Sequence, residues 1–514
     1  MSKKLIGRSA LVGVGTLCSR ILGLVRDMVI GNVFGVSAST DAFFLAFKIP
    51  NFFRRIFAEG AFSQAFMPVF TQAQQNSKAD AAILFKAVLA RLLSFVGILC
   101  LIGVIFTPVF SFVFGYGFFT DRENSPRYGI MTDMLRITFP FLWFITFISL
   151  ASSVLNSYDK FFAPAFAPVL LNISFIVAAL FVAQYFNYSV FVLAWAVVVA
   201  GILQSLFMLW ELKKIGLLVW PSFKQKHEGT SEIIKLMLPG MFAVSVTQIN
   251  LLIDSAIATL FKEGNVVSWL YYGLRLSELP LGIIGIAIAT VILPVLSKQF
   301  IKKEAQSFEN TVMWAIRIVL FVGIPAAAAL VYLALPMLST LFLSGKFKYS
   351  DVLASSQALT AYACAIPAFM LVKVLVPSFF ARKDTKTPVK IGLIAVGVNI
   401  IANIIAASIF GWVGLAMATA ISAWSNALLL IIVMIKQNML KPNLKEIRCW
   451  MSAIMGAIAM ILGLMWLSPE PIWWGEVAKF EQVQTLLMLV VSGILIYVIS
   501  LMLLGIRFRH LKSN

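Results

Sequence analysis

The sequence predicts an all-α integral membrane protein of fourteen transmembrane helices: two six-helix lobes, parallel repeats around a central cationic cavity, plus two extra C-terminal helices. Three observations carry that expectation. Of the 514 residues, 61% are hydrophobic and only 12% charged, and the mean hydropathy is +0.94, a mix foreign to soluble domains. The apolar runs reach about 20 residues, the length a helix needs to cross a hydrocarbon core about 30 Å thick, whereas barrel strands would show about 10 residues of alternating polarity. The first half of the chain also echoes in the second.

Taken in order, the spans centre near residues 20, 56, 100, 143, 173, 200, 246, 282, 326, 366, 398, 424, 458 and 495. The first apolar stretch runs through Phe34 with no small-residue cleavage site, so it is expected to remain as the first span. Alternate connections are basic: Lys3, Lys4 and Arg8, then Lys78 and Lys86, Lys160, Lys213 to Lys226, Lys298 to Lys303, Arg382 to Lys390, Lys441 to Arg448 and Arg507 to Lys512. The other connections hold few cations. Basic connections stay in the cytoplasm, which places both termini there and accounts for the net charge of +19 without nucleic acid.

The echo is specific. Asp41-Ala-Phe-Phe-Leu-Ala-Phe-Lys48 lies over Ser268-Trp-Leu-Tyr-Tyr-Gly-Leu-Arg275, and Pro68-Val-Phe-Thr downstream of the first matches Pro294-Val-Leu-Ser downstream of the second. Pro168-Val-Leu-Leu-Asn172 pairs with Pro388-Val-Lys-Ile. Six spans separate the copies, an even number, so the halves run parallel about an axis along the membrane normal. The expected divisions are 1–215 and 216–440 for the lobes and 441–514 for the last two spans and tail, where Met451 to Leu467 and Leu486 to Ile506 hold no charged residue before Arg507.

Ionisable residues inside the spans are the informative ones, since each costs about 2.5–3.5 kcal/mol or more at a helix centre unless it faces an interior. Span one carries Arg20, Arg26 and Asp27; Arg20 and Asp27 share a face, with Arg26 rotated away unless Gly23 bends the helix. In span two Asp41, Lys48, Arg55 and Glu59 recur along one stripe, kinked by Pro50, with Asn51 and Arg54 beside it. The second half contributes Arg275 with Glu278, and Lys373 deep in span ten. Buried ion pairs and snorkelling side chains are the alternative for any one of these. Acids on the same faces are too few to neutralise all the cations. A guanidinium fork pairs bidentately with phosphate and carboxylate, so the expected cargo is anionic, and a lipid diphosphate with its tail on the uncharged last spans fits.

A second constellation is rich in oxygen: Asn250 and Asp254 on span seven, Asn399 and Asn403 on span eleven, and Thr419 on span twelve. A hard cation such as Na+ takes this donor set; interhelical hydrogen-bond glue is the other reading. The two histidines lie in loop and tail, the four cysteines lack metal-ligand spacing, and no Walker loop, HExxH or GxSxG is present, which argues against ATP-driven or hydrolytic chemistry. An integral-membrane enzyme on lipid phosphates would need an acid–base or metal cluster, whereas carboxylates here are matched to cations.

Ser19-Arg-Ile-Leu-Gly-Leu-Val-Arg-Asp27, Thr40-Asp-Ala-Phe-Phe, Phe47-Lys-Ile-Pro-Asn51 and Arg54-Arg-Ile-Phe-Ala-Glu-Gly-Ala-Phe-Ser-Gln-Ala-Phe66 resemble the MurJ/MviN family of lipid II flippases in the MOP exporter superfamily. The resemblance continues through Ser268-Trp-Leu-Tyr-Tyr272, Arg275, Lys373-Val-Leu and Lys386-Thr-Pro-Val-Lys390, and so covers essentially the whole chain. It implies a transporter rather than an enzyme. The cargo would be lipid II, the undecaprenyl-diphosphate-linked peptidoglycan precursor, moved by alternating access from the cytoplasmic to the periplasmic leaflet of the bacterial inner membrane. Membrane potential and Na+ are the implied drives, and cell-wall synthesis proteins the implied neighbours. The resemblance assigns substrate binding to Arg20, Arg26, Asp41, Arg54 and Arg275, supported by Lys48, Asn51, Glu59 and Lys373, and Na+ to Asp254, Asn399, Asn403 and Thr419. It implies a tail groove on the last two helices. Two departures stand out: Asn403 occupies a place where a second acid can occur, and Leu274 one where an acid can sit beside the key arginine. A flippase for another lipid-linked oligosaccharide is the nearest alternative.

Overall fold

A chain inside a bilayer must satisfy its backbone hydrogen bonds internally, and this one does so with helices. The computed structural model describes residues 3–57, 61–123, 125–262, 264–282, 286–441 and 444–506. In chain order the helices are α1 (Lys3–Phe34), α2 (Ala38–Phe57), α3 (Ala61–Asn76), α4 (Lys78–Ile105), α5 (Thr107–Phe114), α6 (Tyr116–Thr120), α7 (Arg127–Thr138), α8 (Phe141–Ser157), α9 (Phe162–Val177), α10 (Phe191–Lys214) and α11 (Glu228–Ala258). There follow α12 (Val266–Pro280), α13 (Ile286–Ile301), α14 (Ala305–Tyr332), α15 (Ala334–Phe342), α16 (Tyr349–Ala363), α17 (Ile366–Ala381), α18 (Lys386–Phe410), α19 (Val413–Lys436), α20 (Leu444–Leu467), α21 (Trp473–Glu476) and α22 (Lys479–Leu503).

Among the described residues ten helical segments are long and apolar enough to cross a membrane. The predicted spans near residues 20, 56, 246 and 282 fall on α1, α2–α3, α11 and α12–α13, where shorter apolar stretches, Gln248–Ala258 and Ile292–Ile301, are described.

The sequence echo corresponds to a repeat of element order. The pair α2–α3, with Pro68 inside its second member, has its counterpart in α12–α13, with Pro294 inside its second member. After each pair comes a 28-residue helix, α4 or α14, and the 24-residue α10 and α19 close the two series.

The chain forms two packed units: residues 1–267 with 344–346, and residues 268–343 with 347–514. The first therefore runs past residue 215 and takes in α11. Its interior holds Phe43, Phe47 and Phe175, with ring centroids 5.8–6.1 Å apart, fixing α2 against α9. Residues 344–346 join it where Lys346 N donates to Asn32 O at 2.9 Å. Gly35 turns the chain between α1 and α2 at φ +67°, and a Cβ there would stand 2.6 Å from the Lys346 carbonyl oxygen, so only glycine fits. The second unit packs Tyr272 edge-on to Phe342 and Phe347 at 4.9 and 5.0 Å, and Trp269 Nε1 donates to Asp351 at 3.0 Å.

Aromatic side chains flank α10 in the first unit. Tyr185, Phe186 and Tyr188 stand exposed before it, Trp220 and Phe223 after it. Such rings settle at the headgroup level of a bilayer.

Candidate functional site

The charges of the first unit find defined positions. Arg26 turns toward α9: its Nη1 donates to Asn172 Oδ1 at 3.2 Å, and its guanidinium lies 5.3 Å from the Phe175 ring centroid. Nε and Nη2 both reach Asp27 Oδ1, at 2.9 and 2.6 Å. Asn172 in turn donates to Ser19 O at 3.0 Å, tying the start of the span to the same helix. Arg20 is half-buried one helical stretch earlier, and its Nε has no hydrogen-bond partner among the described residues.

The α2 stripe faces α11. Lys48 Nζ donates to Ser255 Oγ, and Arg55 Nη1 donates to Gln248 Oε1 at 2.5 Å. Lys48 and Arg55 are seven residues apart, as are Gln248 and Ser255 in the opposite chain direction, so two heptad-spaced polar rows meet on antiparallel helices. Arg54 Nε folds back onto Asn51 Oδ1 at 3.0 Å, one turn earlier on its own helix. Asp41 is 1% exposed in the first turn of α2, where a carboxylate suits the positive end of the helix dipole. Glu59 lies outside the described residues.

In the second unit Arg275 Nη1 stands 3.6 Å from Glu278, with both side chains about a third open to the surface of the unit. Lys373 is exposed on α17. Asn399 and Asn403 are fully buried on α18, joined by Asn403 Nδ2 to Asn399 Oδ1 at 3.2 Å. Thr419 donates its hydroxyl hydrogen to Leu415 O at 3.1 Å, so its further capacity is as an acceptor. Asp254 is buried within the first unit. Among the described residues no three His, Cys, Asp or Glu side chains converge on a point that could hold a metal ion.

The charge-free stretches of α20 and α22 build a groove in the second unit. Phe321, Pro325 and Ala329 of α14 face Leu464 of α20 and Gly493 and Tyr497 of α22 around a cavity of about 320 Å³. Proline has no N–H, so Pro325 leaves the carbonyl four residues back, that of Phe321, without its helical donor. The Tyr497 hydroxyl fills the vacancy, donating to Phe321 O at 2.9 Å. One turn before, Arg317 forms a bidentate pair with Glu446: Nε meets Oε2 at 3.0 Å and Nη2 meets Oε1, clamping α20 to α14. This is an apolar slot with a charged buckle at one end.

A family model described as "Lipid II flippase MurJ" matches residues 30–503. The chain belongs to the MurJ lipid II flippase family. It is 42% identical over 513 residues to the "Probable lipid II flippase MurJ" of Haemophilus influenzae, covering 97% of this chain and 100% of that one. The corresponding MurJ of Vibrio cholerae is 42% identical with 100% and 98% covered, and the "Lipid II flippase MurJ" of Burkholderia cenocepacia is 35% identical with 97% of each covered. Among solved structures, a MurJ in an inward closed conformation superposes with a TM-score of 0.80 at 26% identity, over 96% of this chain and 98% of that one. An inward-facing MATE multidrug transporter of the MOP superfamily shares the fold at a TM-score of 0.67 and 16% identity, over 82% of this chain and 94% of its own.

Within this chain the sequence pointed to the cations but not to what holds them. Asn172, Gln248 and Ser255 are uncharged polar residues of kinds common inside membrane helices; only the matching seven-residue spacing of Gln248 and Ser255 could have linked them to Lys48 and Arg55. Arg317 and Glu446 are 129 residues apart, with no sequence signal joining them.

Proposed function

We propose that this protein moves lipid II, an undecaprenyl-diphosphate-linked peptidoglycan precursor, across the bacterial inner membrane. The observation that carries the reading is the uncharged groove of α14, α20 and α22 in a chain whose α1, α2 and α12 carry part-buried cations. An apolar slot suits a polyprenyl tail; guanidinium and ammonium groups suit a diphosphate and peptide carboxylates.

In this reading Arg20, Arg26 and Arg275 contact the anionic headgroup, with Lys48, Asn51, Arg54 and Lys373 in support, while Asp41 and Glu59 pair with cations. Both termini lie in the cytoplasm, as the basic connections favour. Transport proceeds by alternating access. Return of an empty cationic interior toward a negative cytoplasm gains about 2.3 kcal/mol per charge per 100 mV. For Na+, the oxygen donors of Asn399, Asn403 and Thr419 fit an ion of that hardness: a carbonyl keeps a second lone pair after accepting one hydrogen bond, and the Thr419 oxygen is an acceptor. Cell-wall synthesis proteins are the proposed neighbours.

The test is replacement of the resident lipid II flippase in depleted cells, paired with lipid II translocation in vesicles under separately imposed potential and Na+ gradient. Growth and translocation are expected, with R20A, R26A and R275A each impaired. Full activity in all three variants would remove the headgroup assignment, and transport of only another lipid-linked oligosaccharide would remove the cargo.

A further inference from the structure

The first unit holds a second cavity, of about 600 Å³, where α4, the loop after α10 and the start of α11 meet. Arg91 of α4 faces Lys226, Glu228, Thr230, Ser231 and Lys235 across it. Three cations thus share the wall with one carboxylate. The neighbouring charges are already engaged: His227 Nδ1 accepts from Gly229 N at 3.0 Å, and its Nε2 meets Asp80 Oδ1 at 3.1 Å. Arg91 is braced, with Nη1 donating to Ala87 O at 3.1 Å and Gln225 O at 3.3 Å.

Two further features point to an anion. The cavity opens at the N-terminus of α11, a 31-residue helix whose dipole places partial positive charge there. Thr230, in the first turn and part of the cavity lining, is only 8% exposed, and its buried hydroxyl has no hydrogen-bond partner among the described residues. Buried hydroxyls gain from a partner, and an anion held by the three cations would offer this one an acceptor. Nearby Trp220 and Phe223 are 87% and 62% exposed and Ile234 is 46% exposed, which sets the cavity at the membrane surface. Its basic loop assigns it to the cytoplasmic side.

We propose that this cavity is a phosphate-binding site, in which Arg91, Lys226 and Lys235 hold the charge of a phosphate mono- or diester and the Thr230 hydroxyl donates to one of its oxygens. The phosphate arrives either on the headgroup of an acidic membrane lipid or free in the cytoplasm. A bound phosphate bridges α4 and α11. The site rests on these two helices and their loop alone and is independent of the cargo.

The full chain, purified in detergent and stripped of lipid, tests this in two arms. In one, inorganic phosphate is titrated calorimetrically at constant ionic strength. In the other, retention of phosphatidylglycerol against phosphatidylcholine is measured by native mass spectrometry. Binding in at least one arm is expected, weakened tenfold or more by the double variant R91Q/K235Q and several-fold by T230V. A response in the phosphate arm identifies a free-phosphate site, and a response confined to the lipid arm identifies a headgroup site. Thr230→Val keeps the side-chain shape and leaves the Arg91 braces in place, so it decides the matter even if the double variant fails to fold. Silence in both arms, or wild-type binding by T230V and by whichever charge variant folds, overturns the proposal.

Discussion

Tyr497→Phe removes one oxygen, and the structure says what that oxygen does. Its hydrogen bond to Phe321 O replaces the helical donor that Pro325 lacks. Losing a bond of this kind costs about 0.5–1.5 kcal/mol, and a buried carbonyl left without a donor about 1–3 kcal/mol. Interhelical bonds measured in membranes average about 0.6 kcal/mol with a maximum near 1.7. The ranges overlap at about 1–1.5 kcal/mol, a factor of roughly 5–13 in a folding equilibrium. Substituting Pro325 by Ala restores an N–H four residues beyond Phe321, and the carbonyl regains its own helical donor. Tyr497→Phe should then cost less than about 0.5 kcal/mol. The assay is the half-life of the full chain in detergent at a fixed elevated temperature for wild type, Y497F, P325A and the double variant. An equal cost of Y497F in both backgrounds would refute the reasoning.

The Arg317–Glu446 buckle gives a related expectation: E446A should destabilise by about 3–5 kcal/mol, because Arg317 is left with little solvent, while R317M/E446M recovers most of the loss; additive effects in heat half-life would count against it. Arg26→Lys keeps the charge but not the fork that reaches Asp27 and Asn172, so a loss of about 1–3 kcal/mol is expected, and wild-type thermal stability would show that the fork is unused. At Gly493 a Cβ would meet Leu464 at 3.4 Å, ordinary contact, but a whole leucine would occupy the groove. G493L should slow translocation of long-tailed lipid II about tenfold, roughly 1.4 kcal/mol, and spare a short-tailed analogue; equal slowing of both would exclude the groove as the tail path. Asp384, in the loop before α18, is pushed up by burial, but hydrogen bonds from the Thr387 side chain and backbone and the Lys386 backbone, with Arg382 nearby, hold it below its ordinary value. A depressed folded pKa stabilises above the unfolded value of about 3.9 and the gain disappears as pH falls through the folded value, so the stability gap between wild type and D384N should be constant at neutral pH and close in acid.

Much of this architecture was legible because membrane helices are written in long apolar runs. The repeated Pro68 and Pro294 marked α3 and α13 as counterparts, and the charge-free stretches after Met451 marked the helices that wall the groove. Partnerships were not legible. Pro325 lies inside α14, and nothing local indicates that a tyrosine 172 residues away supplies the donor it lacks. The α2 cations announced an inward face, yet Ser255 and Gln248 are side chains that also occur as helix glue, and the contact of α11 with α2 emerges only from tertiary packing. The unaided hydropathy of α1, α2 and α12 is lowered by the very charges that single them out.

The aromatic residues at either end of α10 set a physical scale on the first unit. Twenty-four residues of helix rise about 36 Å, close to the apolar thickness of a bilayer plus part of each headgroup layer. Tyr185, Phe186 and Tyr188 on one side and Trp220 and Phe223 on the other act as a fixed gauge of that thickness. A membrane a few ångströms thinner or fatter must either tilt this helix or bend its own leaflets to reach both rings of anchors. Acyl-chain length is therefore a control knob for this protein, one that acts with every charged and polar contact left unchanged.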